Sequence, residues 1–224
     1  MSNKINPLGE AGLAFYSKVS ASISHEIKNS LAVLNESAGY LEDVTLMAKK
    51  GMNVDMDRLQ TLAGTMLKQV QRADTIVKNM NRLAHSLDDP ASQIDLNSLL
   101  ELMINLSERT TVTRGFKVSA ALSNTPITIT THPFFLENLI WLILDFAMNV
   151  TGDAKTIELQ LSKAESGAKI SFTGLEKLTQ NAFNDFLSER ARLILSALNS
   201  TLQPDENKGM ITLHLPEKIS PSAQ

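Results

Sequence analysis

Residues 20–36 read SASISHEIKNSLAVLNE, a helix-forming run that sets one histidine beside a carboxylate and an amide. On an α-helix each residue advances by about 100°. His25 stands two positions from both Ile23 and Ile27, so it points roughly opposite their apolar seam. His25 and Asn29 are i, i+4, and Glu26 and Asn29 are i, i+3, so the three surround one patch of surface. A neutral imidazole, with its ordinary pKa near ~6.5, is a competent nucleophile at cellular pH, and a neighbouring carboxylate can orient it or take its proton. The amide could position a water or a phosphoryl oxygen. HEIKN also begins like the H-E-x-x-H zinc motif, but Asn29 stands where the second ligand belongs, and there is no cysteine to replace it. On geometry alone, an exposed helix histidine is also compatible with a plain surface residue.

The surrounding pattern predicts the element that presents these groups. Leu59, Met66, Ala73, Met80 and Leu87 fall seven apart, Leu62, Ile76 and Leu83 fill a second seam, and Gln69 is its polar member. Ile27, Leu34 and Leu41 repeat the spacing upstream, flanked by Leu31 and Ala38. Heptads of this kind predict two long helices packed side by side. Between them KKGMNVDMD supplies Gly51 as a C-cap and Asn53 or Asp55 as an N-cap. A single hairpin cannot bury both stripes, and a two-fold axis converts it into a four-helix bundle, so a homodimer through this region is expected. The alternative is a hairpin packed only on its own second domain.

Composition changes after DDPAS, and Pro90 marks the boundary between a hairpin domain, 1–89, and a second domain, 90–224. The second domain predicts a helix over 96–109, strands at FKVSAAL and PITIT, and an apolar helix over 135–149. A hairpin turning around Ser166-Gly167, a helix over 182–202 and a last strand, MITLHLP, complete it. The fold class is α+β, with helices on one face of a mixed sheet.

With 224 residues, 43% hydrophobic and 20% charged, the chain has a globular composition. Its net charge of −3 argues against nucleic acid as a partner. The absence of cysteine removes disulfides and thiolate chemistry. The longest apolar run, FFLENLIWLILDFAMNV, is interrupted by Glu137 and Asp145 and reads as a buried helix, not a membrane span. No signal peptide is visible, and a cytoplasmic location is expected. The chain opens almost at the hairpin, which predicts that any signal arrives through a partner protein. Among the remaining residues, His85 reads as a solvated helix-end histidine, His214 as a surface residue, Met66 and Met80 as seam fillers, Trp141 as core, and ERAR at 189–192 as a solvated helix face.

SHEIKNSL resembles the H-box of two-component sensor histidine kinases, H-E-[LI]-[KR]-N-P-L. QVQRADTIVKNMNRLAHSL is similar to the second helix of their dimerization and histidine-phosphotransfer domain. IDLNSLLELMINL resembles the segment that opens their ATP-binding domain, and KGMITLHLP the strand that closes it, so that the likeness spans about residues 13–216. The resemblance implies His25 as phosphoacceptor, Glu26 as its acid–base partner, and Glu26 with Asn29 as the family's E-x-x-[NT] pattern for dephosphorylating a response regulator. Lys28 holds the family's basic position, while Ser30 replaces its proline and with it the bend that proline provides. A receiver domain docking there implies contacts from Ser22, Ser24, Lys28, Leu31, Asn35 and Arg82.

The second domain departs further. The N-box, N-L-x-x-N-A, falls on 142–147 with Leu142 and Phe146 in place of both asparagines and only Ala147 retained. Hydrocarbon side chains cannot hold Mg²⁺, which takes oxygen ligands. SFTGLEKL stands where D-x-G-x-G belongs, NDFLSERARLIL replaces the second glycine-rich box, His132 replaces a common aspartate, and no G-x-G occurs anywhere. The expected architecture is therefore a dimeric four-helix bundle followed by a degenerate histidine-kinase-type ATPase sandwich, closest in type to ChpT-like dimeric histidine phosphotransferases. Its expected partner is a response-regulator receiver domain, with no cofactor of its own and Mg²⁺ on the receiver only. The alternatives are a response-regulator phosphatase, a non-catalytic pseudokinase scaffold and, last, an ATP-dependent kinase.

Overall fold

The computed structural model describes residues 7–88 and 91–219; Pro90, the expected boundary residue, lies outside them. Two long helices come first, α1 (Pro7–Lys49) and α2 (Met56–His85). Then follow β1 (Ser92–Asp95), α3 (Leu96–Thr113), β2 (Lys117–Ala121), β3 (Thr128–Thr131), α4 (Pro133–Val150), β4 (Thr156–Ala164), β5 (Gly167–Thr173), α5 (Gln180–Phe186), α6 (Glu189–Ala197), β6 (Thr201–Asp205) and β7 (Met210–Pro216). Internal contacts divide the chain into a hairpin unit, Ser20–Arg82, and a second unit formed by the segments Met1–Val19 and Leu83–Gln224. This differs from the expected break at 89/90, because the start of α1 and the end of α2 belong to the second unit.

In the hairpin unit, α1 is one continuous helix through Ser30, as expected where serine replaces proline. Gly51, at φ 77°, ends the helix region: its N–H bonds Ala48 O and the Met52 N–H bonds Met47 O, the pattern of a Schellman cap. Asp55, not Asn53, caps α2, its Oδ1 accepting from the Arg58 N–H at 3.1 Å. The Arg58 guanidinium sits 4.5 Å over the Tyr40 ring. Because Arg58 lies near the start of α2 while α1 runs on to Lys49, the last two turns of α1 extend past its partner. The inner face of α1 is not the expected Ile27–Leu34–Leu41 seam. Ile23, Ser30 and Ser37 are the buried positions, Ile27 and Leu34 are half-buried, and Leu31, Ala38 and Leu41 are exposed. On α2 the expected seam does turn inward, with Ile76 and Leu83 buried, but Leu87 lies beyond the helix end and is exposed.

In the second unit the main sheet has the order β2-β4-β5-β7-β6, with β2 and β4 parallel and the rest antiparallel. Alternation buries one face only, through Ile157, Leu159, Ile170, Phe172, Ile211 and Leu213. The β4–β5 loop is Glu165-Ser166, one residue earlier than expected, because Gly167 (φ 134°) is already paired with Ala164. The predicted helix over 182–202 is instead α5, α6 and the start of β6. Ser188 adopts extended backbone (φ −56°, ψ 166°) between the two helices and stands at the N-cap position of α6, without a side-chain cap bond. Asn199 turns the chain at φ 49°, and β6 then pairs with β7 at the sheet edge, where Pro204 is tolerated. Strand β1 was not expected. It pairs with β3, and Asp95 at its end caps α3 by accepting from the Asn97 and Ser98 N–H groups.

α4 is the most buried helix. Among the described residues it is the one helix long and apolar enough to cross a membrane by length and composition, although Glu137 and Asp145 interrupt it; 72% of it is buried within the protein. Trp141 is core, as expected.

Candidate functional site around His25

His25 and Asn29 are exposed on α1, one turn apart, with Lys28 exposed between them. Glu26, 100° round the helix from His25, turns toward α2 instead. Its side chain retains 11% exposure, and its Oε2 lies 3.6 Å from Nη2 of Arg72, whose side chain is 56% exposed. The geometry therefore brings together an open imidazole, an open amide and a largely covered carboxylate held by a cation on the neighbouring helix. Sequence reasoning did not identify Arg72. A hairpin with flush helix ends would bring a residue about two turns later on α2 level with Glu26, and the overhang of α1 shifts the register.

The expected docking residues separate. Ser24, Leu31 and Asn35 are exposed alongside Lys28. The Ser22 hydroxyl is shielded and, like that of Ser20, has no hydrogen-bond partner, so Ser22 is not presented at the surface. Arg82 is exposed but lies ten residues beyond Arg72, roughly 15 Å further along α2 at ~1.5 Å per residue. It is Arg72, not Arg82, that shares the level of the patch.

In the second unit, the Phe146 ring stacks on Phe186 of α5 at a centroid distance of 4.6 Å and an interplanar angle of 22°, and Phe183 tilts against Phe186 at 6.5 Å. Leu142 is half-buried and Ala147 buried on the same helix. Gly174 has a structural reason to be glycine: its φ is 85°, and a Cβ there would lie 2.2 Å from the Thr156 carbonyl oxygen. His132 stands at the N-cap of α4 without a side-chain cap bond, its ring edge against Phe135 at 5.6 Å, and burial pushes its pKa down. Arg190 corrects the expected solvated ERAR face: its guanidinium donates to Ala11 O at 2.8 Å and Asn138 Oδ1 at 3.0 Å, and burial lowers its pKa. His85 is exposed and its Nδ1 lies 2.7 Å from Asp88 Oδ2, while His214 is half-buried on the outer sheet face. Among the described residues, no group of three or more His, Asp or Glu side chains is arranged to hold a metal ion.

No family model matches the chain, and no curated protein matches it. Among solved structures it is similar to the nucleotide-free catalytic domain of histidine kinase ThkA, at 14% identity and TM-score 0.48, over 58% of this chain and 99% of that one. It is also similar to the Acinetobacter baumannii histidine kinase AdeS, at 14% identity and TM-score 0.47, over 86% and 98%. A third similar structure is histidine kinase ThkA in complex with response regulator protein TrrA, at 18% identity and TM-score 0.47, over 95% of this chain and 64% of that one. At these scores the likeness carries no functional argument, and the residues of the patch must carry it.

Proposed function

We propose that this chain is a histidine phosphotransferase-like two-component signalling protein. It passes phosphoryl groups between His25 and the aspartate of a response-regulator receiver domain, acts in the cytoplasm as a homodimer, and binds no ATP of its own. The observation that carries the reading is the open His25 imidazole, with Asn29 beside it and Glu26 held by Arg72. Phosphoryl transfer is mostly positioning and charge stabilisation, and a receiver would bring its own Mg²⁺. Independence from ATP is supported by Phe146, which by the family resemblance occupies the Mg²⁺-binding asparagine position and whose ring packs on Phe186. Homodimerisation is supported by a second apolar stripe on α2, where Leu67 (63% exposed), Val70 (53%) and Val77 remain in contact with solvent, and by a groove of about 370 Å³ between Tyr40 and Leu62.

The reading is tested by incubating the purified chain with a receiver domain carrying labelled aspartyl phosphate. Label on His25, lost in His25→Ala, is the expected result. A second reading, a response-regulator phosphatase, is favoured by the exposed Asn29 and would appear as free phosphate without label on the chain. Neither product would leave a scaffold. Micromolar binding of Mg-ATP by calorimetry would overturn the ATP-independent reading.

A further inference from the structure

We infer that Arg72 is a positioning residue for the reaction at His25, acting through Glu26; the inference rests on the phosphotransfer reading above. The Glu26 carboxylate is nine-tenths covered, although a charged carboxylate is costly to withdraw from water without a partner. Arg72 supplies that partner from the opposite helix at 3.6 Å, a separation longer than a hydrogen bond, so the attraction is chiefly coulombic. Because the Arg72 side chain is more than half exposed, the pair contributes little to stability, and its consequence is geometric. Without the cation, Glu26 would lose the charge that draws its carboxylate toward α2, one position along the helix from His25.

In the transfer step, a lone pair on one imidazole nitrogen of His25 forms the N–P bond. The P–O bond of the aspartyl phosphate breaks, and its electrons leave on the receiver's carboxylate. The ring thereby gains positive charge, and the proton on its second nitrogen passes to, or is shared with, the Glu26 carboxylate. The phosphoryl group then adds negative charge beside Glu26. Arg72 therefore has two effects on one carboxylate: it limits its rotamers, and it reduces its repulsion of the incoming phosphoryl group.

The test uses the full chain and phosphoramidate, a small-molecule phosphoryl donor, with labelling of His25 followed over time by phosphorus NMR. Arg72→Ala is expected to slow labelling about tenfold with an unchanged thermal midpoint. Arg72→Lys, which keeps the charge, should recover most of that loss, and Arg72→Gln should not. In a Glu26→Gln background, Arg72→Ala should cost nothing more, since its effect passes through Glu26. Wild-type labelling with an unaffected Arg72→Ala, or fully additive losses in the double variant, would overturn the role assigned to Arg72 alone. A wild-type chain that takes no label at His25 would instead remove the phosphotransfer reading beneath it.

Discussion

At the scale of single residues, two histidines have different surroundings. His25 is exposed mid-helix, with functional groups on the neighbouring positions. His132 is half-buried at the N-cap of α4, against Phe135, with no side-chain cap bond. Burial lowers the pKa of His132 in the folded state, so the unfolded chain binds a proton there more readily. The associated stability is therefore present above the unfolded value of 6.5 and is lost as the pH falls through the folded value. The urea midpoint of the wild type is expected to drop between pH 7.5 and pH 5.5, and His132→Asn should flatten that dependence. An equal drop in the variant would assign it to other groups. The patch around His25 shows why a single cation could escape sequence reading: Arg72 is one of several basic residues on α2, and nothing in its immediate neighbours distinguishes it.

At the scale of elements, α1 has two different jobs along one helix. From Ser20 on it belongs to the hairpin unit and carries His25, while its first three turns belong to the second unit. Phe15 is fully buried, tilted against Phe134 at 5.5 Å and Trp141 at 5.9 Å. Asn138 and Arg190 both donate to the Ala11 carbonyl, and Ser86 just past α2 bonds the buried Glu137 at 2.7 Å. Phe15→Ala is expected to cost about 3–5 kcal/mol by removing a large buried ring. Trp141, the sole tryptophan, reports this directly through its fluorescence during denaturation. A cost below ~1 kcal/mol would mean that the start of α1 is dispensable to the second unit. The same reasoning predicts that the second domain drawn from sequence, beginning at residue 90, is missing part of its own core.

At the scale of the whole molecule, the hairpin exposes more apolar surface than a monomer has use for. Leu67, Val70 and Val77 recur along one side of α2, and Leu41 is exposed on α1. If these stripes close a four-helix bundle with a second copy, light scattering will give twice the 24.5 kDa of one chain. The paired substitution Leu67→Lys with Val70→Lys will then shift the mass toward the monomer without unfolding the hairpin. A wild type that stays monomeric at tens of micromolar would remove the dimer from the proposal.

Much of the molecule was already determined by local pattern. The long helices, the Gly51 cap, the apolar helix α4, the β4–β5 hairpin, the closing strand and the exposure of His25 all follow from periodicity and turn chemistry, which act over a few residues. What only the tertiary structure decided depends on register and on distant partners. The overhang of α1 set which cation meets Glu26. The break at Ser188 and the pairing of β6 with β7 divided an apparently continuous helix, because apolar spacing persists across a cap. The start of α1 joined the second unit through Phe15 and Ala11, contacts more than a hundred residues apart in sequence that no local pattern encodes.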